Sequence, residues 1–581
     1  MPSLKEVHSQ MVRMGFFDDE GRGRKGRERR CLDVVLEAIE GQVSESKPTL
    51  TFVQLPPGYG KTAIPYSLSL WALPPDEVYL ERCIHALPLR SIVEDSWRRF
   101  RKGLGSLGLG EDEAEGIVGA QCMFTHGSPF LQKGLAITTL DTFALLAAKL
   151  PPAELRSIAH EWSQGHYEVA RGALLSSAVV YDEVHLLFEE GGRRGYERPL
   201  TALLALIRAL LRWRVPVVVM TATLPGVWRQ ELRGWLEERE PGAAVRELTY
   251  GTCGLRDEEF EDEVSSVALR TKSLRNEVEY VKEIAEAARS YERVLVIANT
   301  IRRAQELYET LKDLSPMLLH SKFTQGDRKS RLDKLEDSRG RWFCISTQVV
   351  EAGVDISAQA LFTDIAPLCA LVQRGGRCRR PSHGDEGEEG KITICVSERA
   401  LSHARMIYDG GSLDRSREAL EKIGDNFNWH SYAEYMPLLD GAYGRSSLRL
   451  DQRIDPLQHN QMLKLLLHPY WDARDAFDLL LELGSFTRDE PLVTGVVCED
   501  DDIHGVAASL WRQSKRLLPL ELSDVREIAK RREVKLLTAD GRGSFSLDGD
   551  PGRLLPKFLR GDVVAVQVPP ELYDGERGLL V

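Results

Sequence analysis

Short apolar runs set the first constraint on this chain. Leu50–Leu55, Gly134–Ile137, Ala178–Tyr181 and Val215–Met220 are each four to six residues long and bounded by polar or turn residues. Longer amphipathic stretches, such as Leu200–Leu211, lie between them. Runs this short and this apolar suit strands buried on both faces. Their alternation with helices requires a parallel sheet with helices packed on either side. The pattern then repeats, with helices expected at Asn276–Ser290 and Ile301–Leu311, and strands at Val294–Ala298, Met317–Leu319, Trp342–Ser346, Ala360–Thr363 and Lys391–Val396. The expected fold class is α/β, with two tandem parallel-sheet lobes followed by an accessory region.

Changes of character along the chain place the boundaries. Residues 1–48 read as a polar N-terminal arm or helical lead-in, with a basic run at Arg22–Arg30 that is a flexible arm, an exposed helix end or a nucleic-acid contact. Residues 49–245 form the first lobe, the acidic stretch 246–275 the linker and 276–410 the second lobe, which contains a turn-rich acidic loop at Pro381–Gly390. Residues 411–484 read as helical. Residues 485–581 read as a small β-rich domain, with strands at Pro491–Val497 and Asp562–Val568 and turns at Asp540–Gly543 and Asp548–Gly552.

At 581 residues the chain can bury several cores. A net charge of −12 excludes a general polycation, so any nucleic-acid contact must come from placed residues. The nine cysteines include no C-x-x-C pair, which argues against zinc ribbons and redox motifs. The most apolar stretch, Leu200–Leu224, is broken by Arg208, Arg212 and Arg214 and reads as a helix followed by a buried strand. With no apolar signal segment at the start, a cytoplasmic protein without a membrane partner is expected.

The chemistry concentrates in ordered strings. Gln54-Leu55-Pro56-Pro57-Gly58-Tyr59-Gly60-Lys61-Thr62 follows a strand and precedes a helix, the context a phosphate-binding loop needs. Gly58 and Gly60 let the backbone wrap phosphates, Lys61 suits the β and γ phosphates, and Thr62 suits magnesium. Leu55 stands where the strict pattern has glycine. At Val179–His185 an apolar strand ends in two carboxylates: Asp182 can hold magnesium, and Glu183 can orient and deprotonate a water. Gln373-Arg-Gly-Gly-Arg-Cys-Arg-Arg380 puts Arg377 and Arg380 three apart, expected on one helix face and aimed at developing phosphate charge. Thr347, in Ser346–Ile356, can bond a nucleic-acid phosphate.

The order of these strings across residues 50–380 resembles superfamily-two helicases with a D-E-x-H box. More narrowly, the region is similar to the CRISPR-associated helicase of type I interference systems, the Cas-three family. Ala86–Glu94, Thr138–Thr142, Asp182–His185, Leu319–Phe323 with Asp327 and Arg328, and Asp364–Arg374 carry that resemblance. It implies two RecA-like lobes, with ATP and magnesium as cofactors. Gln373, Arg377 and Arg380 become catalytic residues, His185 a sensor of the γ-phosphate, Thr221 and Thr223 coupling residues, and Gly353 and Asp355 nucleotide contacts from the second lobe. It further implies a single-stranded DNA translocase moving 3′→5′, recruited by the Cascade surveillance complex to an R-loop, with Arg90, Thr139, Asp141, Asn299, Thr300, His320 and Thr347 along the DNA path. Asn299 and His320 equally suit caps of a strand or helix. The chain contains no His-Asp dipeptide, so the resemblance is to the split form, in which a separate HD nuclease subunit cuts the DNA. The same motor motifs suit a D-E-x-H RNA helicase, which remains the alternative. The full set Lys61, Asp182, Glu183, Arg377 and Arg380 argues against a nucleotide-gated scaffold. A basic segment, Ser523–Lys535, reads as a solvated helix face, or as a lid or docking surface.

Overall fold

The computed structural model describes all residues except 1, 19–24, 46, 73–79, 189–196, 253, 337–339, 352, 382–388, 445–448, 469–470, 500–514, 539–543, 547–552 and 581. The turns expected at Asp540–Gly543 and Asp548–Gly552, and most of the Pro381–Gly390 loop, lie outside the described residues.

The two expected sheets are present. The first contains β1 (Thr49–Gln54), β2 (Arg82–Leu87), β3 (Val118–Cys122), β4 (Thr125–His126), β5 (Leu135–Thr139), β6 (Ser177–Tyr181), β7 (Val217–Thr221) and β8 (Ala244–Thr249). Its order is β4-β3-β5-β2-β6-β7-β1-β8, parallel except for the β3–β4 pair. Successive side chains on the central strands feed opposite cores. Leu50, Val179, Tyr181, Val217 and Val219 join one cluster with the helix Arg198–Arg212, while Val53, Val180, Val218 and Met220 join the other. That two-sided burial explains why these strands read as continuous apolar runs.

The second sheet contains β9 (Leu269–Leu274), β10 (Arg293–Ile297), β11 (Met317–Leu319), β12 (Trp342–Ser346), β13 (Ala360–Asp364) and β14 (Gly390–Cys395). It is wholly parallel, in the order β11-β12-β10-β13-β14-β9. Edge strands β8 and β9 expose one side and carry Arg246, Glu247, Arg270 and Lys272, so their alternating pattern reads as polar connection. The stretch 246–275 is therefore not a free linker. β8 belongs to the first lobe, the helix Glu258–Ser265 buries Phe260 and Val264 in the first lobe's core, and β9 belongs to the second lobe.

Of the two readings of residues 1–48, the described residues fit the helical lead-in. The helices Leu4–Arg13 and Arg30–Ser44 bury Leu4, Met11, Val35 and Leu36 in the first lobe's core. Within the basic run, Arg27 and Arg29 pair with Glu263 at 2.5 and 2.7 Å.

Helices Gly410–Leu420 through Ala473–Leu483 fill the accessory region, and Pro456–Leu467 returns to pack along Arg198–Arg212. The remaining sheet, β15 (Leu492–Val497), β16 (Leu517–Glu521), β17 (Lys535–Thr538), β18 (Ser544–Ser546) and β19 (Val563–Val568), is mixed. A hairpin of β20 (Tyr573–Asp574) and β21 (Gly578–Leu579) then folds onto the second lobe. There the Arg577 carbonyl accepts from His320 Nε2 at 2.9 Å, and Tyr573 donates to Asp327 at 2.5 Å.

Burial pushes the His320 pKa from 6.5 down to about 4, although the bond to the Arg577 carbonyl opposes the shift. His459 is also pushed down to about 4, mainly by burial. Between 6.5 and about 4 the unfolded chain therefore binds protons that the folded chain refuses, so stability falls as pH falls through this window. The melting midpoint is expected to drop across it, and His320→Gln should flatten part of the drop. Melting curves that stay level down to about pH 4 would remove this explanation.

Candidate nucleotide site between the lobes

The loop after β1 turns twice through left-handed backbone, at Gly58 (φ 78°) and Gly60 (φ 94°), conformations that glycine adopts without steric cost. Leu55, where the strict pattern has glycine, is fully buried and bonds β7 through the Thr221 carbonyl at 3.3 Å, so this position extends the strand. Lys61 folds over the loop and donates to the carbonyls of Leu55 and Pro56 at 3.2 and 3.3 Å. Tyr59 pins the loop from beneath: its hydroxyl donates to Asp257 at 2.5 Å and accepts from the Cys31 amide at 3.1 Å. Asp257 lies in the stretch expected to be a linker, where no motif marks it. Pro56 and Pro57 complete the wrap, and Thr62 opens the helix Ala63–Trp71.

β6 delivers Asp182 and Glu183 beside this loop. Asp182 accepts from the Glu183 amide at 2.8 Å, and His85 Nε2 on β2 lies 3.4 Å from its other oxygen. Glu183 is itself left-handed (φ 52°), and one of its buried oxygens accepts no hydrogen bond. Burial, then Asp182, push its pKa up to about 7, against the pull of Lys61, Arg377 and Arg380. His185 is held neutral: burial and Lys61 push its pKa down to about 3. Its Nδ1 meets Thr221 Oγ1 at 3.2 Å, Thr221 Oγ1 accepts from the Thr223 amide at 3.4 Å, and Gln373 of the second lobe donates to Thr223 Oγ1 at 3.5 Å. A polar chain thus runs from the carboxylates across the cleft.

Arg377 and Arg380 do not share a helix face. The helix Leu368–Gly375 ends before them, and Arg379 adopts φ 46°. The turn beyond the helix directs Arg377 to the carbonyls of Glu351, at 2.6 Å, and Val354, while Arg380 pairs with Asp355 at 2.6 Å. Burial pushes the Arg377 pKa down to about 9, with Arg380 adding to the drop and Glu183 opposing it. The second lobe meets the first closely. Gly376 faces Pro57, and a Cβ on Gly353 would lie 2.7 Å from Ile92 Cα.

A family model described as CRISPR-associated nuclease/helicase Cas3, C-terminal, matches residues 290–383. The CRISPR-associated helicase Cas3 of Thermoproteus tenax is 26% identical over 408 residues, covering 66% of this chain and 62% of the relative. A putative CRISPR-associated nuclease/helicase Cas3 of Methanocaldococcus jannaschii is 28% identical over 291 residues, covering 48% of this chain and 35% of the relative. This chain is similar to Cas3 helicases. Its fold agrees: the crystal structure of T. fusca Cas3 with AMPPNP aligns with a TM-score of 0.60 at 17% identity, covering 98% of this chain and 72% of that one. The matched regions span only part of the curated relatives' length.

The residues that the Cas3 resemblance puts along a DNA path do not form one exposed track. Asn299 and His320 are fully buried, and Asn299 is spent on the Ile365 carbonyl (2.7 Å) and Arg374 (3.0 Å). Both act as internal fasteners. Thr139 and Thr347 are buried, and Thr139 and Thr300 cap helices. Asp141 is engaged by Arg488 at 2.6 Å, and Arg90 lies over the Phe124 ring at 4.6 Å. The missed hub is Arg374, adjacent to Gln373. It is fully buried and holds Glu351 at 2.7 Å, Thr363 at 2.8 Å and Asn299 at 3.0 Å.

Gly353→Ala would require a left-handed alanine whose methyl group meets the backbone of the facing lobe, which cannot swing aside. The variant is expected to hold the lobes apart. Small-angle scattering should show a larger radius of gyration than for the parent chain, and an unchanged profile would mean that Gly353 does not gate closure.

Proposed function

We propose that this chain hydrolyses ATP to drive translocation along single-stranded DNA, as the motor of a type I CRISPR interference system. The observation that carries the reading is the placement of Lys61, on the left-handed loop of Gly58 and Gly60, beside the Asp182–Glu183 pair at the end of β6. Lys61 from the loop after β1 and Arg377 and Arg380 from the other lobe all act on one part-buried carboxylate, one oxygen of which accepts no hydrogen bond and lies 3.4 Å from His185 Nδ1. A cation-lined cleft around a carboxylate poised near neutrality suits in-line attack of water on a γ-phosphate.

In this reading Lys61 leaves its loop carbonyls for the β and γ phosphates. Glu183 takes the proton of the attacking water. Arg377 and Arg380 exchange the Glu351 and Val354 carbonyls and Asp355 for phosphate oxygens. The Asp182 carboxylate and Thr62 hydroxyl form a hard-oxygen donor set that fits magnesium. Bound there, magnesium would neutralise charge on the β and γ oxygens. Gly353 and Asp355 complete the nucleotide contacts from the second lobe. The chain His185–Thr221–Thr223–Gln373 would transmit the state of the phosphates to the lobe interface.

The partners follow from the Cas3 relationship: an R-loop presented by Cascade, and a separate HD nuclease subunit that receives the strand. The 3′→5′ polarity follows from the same relationship. Contacts with DNA would fall mostly on phosphates, which makes binding tolerant of sequence and sensitive to salt. Among the described residues no helix is long and apolar enough to cross a membrane.

The test compares magnesium-dependent ATPase rates without nucleic acid, with single-stranded DNA and with single-stranded RNA. DNA is expected to stimulate strongly and RNA weakly. Lys61→Ala should abolish turnover, and Glu183→Gln should cost about 100-fold or more, the scale of losing a general base. Equal or greater stimulation by RNA would replace the DNA motor with an RNA helicase. A Glu183→Gln variant with normal turnover would remove the hydrolytic reading.

A further inference from the structure

The arginine loop has an awkward backbone to hold. Past the helix Leu368–Gly375 the chain must reverse, and Arg379 does so at φ 46°, a region that non-glycine residues seldom occupy. Such a conformation persists only where the surroundings over-determine it. One side is fixed within the second lobe: the Ala358 amide donates to the Arg377 carbonyl at 2.8 Å, and the Arg379 amide donates to the Ala358 carbonyl at 2.9 Å. The other side is fixed from outside both lobes. His430, buried in the accessory region, donates from Nε2 to the Cys378 carbonyl at 2.8 Å.

His430 is itself held in place. Its amide donates to Asn428 Oδ1 at 3.0 Å, and Asn428 Nδ2 donates to the Val264 carbonyl at 2.9 Å. Trp429, fully buried, donates from its indole nitrogen to Thr271 on β9 at 2.9 Å. Its ring fills the space over Gly375, where a Cβ would lie 2.6 Å from Trp429 Cγ. The following helix, Tyr432–Tyr443, then reaches the first lobe. Tyr435 donates to the Ala222 carbonyl at 3.4 Å, Met436 Sδ accepts from Gln54 at 3.3 Å, and Asp440 accepts from the Gly226 amide at 2.7 Å. Ala222 lies between Thr221 and Thr223, and Gln54 begins the phosphate loop. One strap, residues 428–440, thus touches the arginine loop and the two strand ends that face it.

We propose that His430 is a positioning residue for ATP hydrolysis: its imidazole N–H sets the arginine loop through Cys378 so that Arg377 and Arg380 face Glu183, and the strap ties this setting to Gln54 and Ala222. The proposal rests on the ATPase reading of the cleft. His430 touches no reacting atom in this scheme. Its effect passes through the two arginines.

The experiment measures kcat and KM for ATP on the full chain, with melting midpoints and nucleotide affinity alongside. His430→Gln places an amide nitrogen close to where Nε2 sits. His430→Asn keeps a buried amide of the same chemistry but puts its nitrogen short of Cys378. His430→Asn is expected to lower kcat roughly 10- to 100-fold, the scale of an ångström-sized misplacement. KM and nucleotide affinity should stay within about twofold, and His430→Gln should recover most of the rate. Adding His430→Asn to Arg377→Ala should slow that variant little further, because both act on one loop.

Normal kcat in His430→Asn, equal loss in His430→Gln, or full multiplication of the two losses in the double variant would each overturn the proposal. So would a loss confined to KM. If the parent chain turns over ATP and Lys61→Ala does not, such results remove the role of His430 alone. A parent chain no more active than Lys61→Ala removes the ATPase reading and this proposal together.

Discussion

The buried guanidinium of Arg374 is the interaction on which the second lobe's working surface depends. A charge sealed from water is tolerated only when its partners replace the lost hydration. Arg374 is satisfied by Glu351, the Thr363 hydroxyl, the Asp364 carbonyl, Asn299 and Tyr408. These partners come from the chain after β10 and β12, from β13 and from Tyr408, so one side chain ties several strand ends of the second lobe together. A second buried pair, Arg303 with Asp364 and Glu277, backs the same strand ends. Removing one partner of such a network typically costs about 3–5 kcal/mol, because the remaining charge has no water to turn to. The loops therefore keep their arrangement or lose it together, as an element that swings between two states as a unit requires.

Closing the cleft is an electrostatic event as much as a steric one. At Glu183 burial and the neighbouring Asp182 favour the neutral acid, while Lys61, Arg377 and Arg380 favour the carboxylate, and the balance falls at about 7. Lys61 belongs to the first lobe and stays beside Glu183 whatever the second lobe does. The arginines leave when the lobes part, and water returns. The basicity of this group is thereby coupled to closure, and the neutral His185 beside it adds no competing positive charge.

The parts legible in the sequence were those in which local pattern and tertiary role coincide. Central strands such as Val179–Tyr181 are buried on both faces and read as apolar runs, and the glycines of the phosphate loop sit at positive φ, where their type is diagnostic. The edge strands β8 and β9 were hidden by their own exposure, since a half-solvated strand carries charges and resembles connecting chain. Helical spacing misplaced Arg377 and Arg380 because the helix stops at Gly375, and a dipeptide of glycines can end a helix as readily as continue it. Arg374 stood in plain view within the Gln-Arg pair, but sequence does not show burial. His430 offered nothing to find: its role comes from a strap remote in sequence that crosses to the second lobe.

The C-terminal region constrains how the lobes can separate, because it is fastened to both. On the second lobe the fasteners are sheltered: His320 and the Arg577 carbonyl, Tyr573 with Asp327 and Thr324, and Lys322 with Asp524. On the first lobe the Asp141–Arg488 and His160–Asp562 pairs are part-exposed, and pairs of that kind contribute at most about 1 kcal/mol each. The main apolar link there is Phe124, buried with Val496, Leu517 and Ala565. Burying one such ring contributes about 1.5–3 kcal/mol. The region is therefore held more firmly on the second lobe than on the first. Besides pairing with Asp141, Arg488 is held through its carbonyl, and that of Ser485, by Arg198.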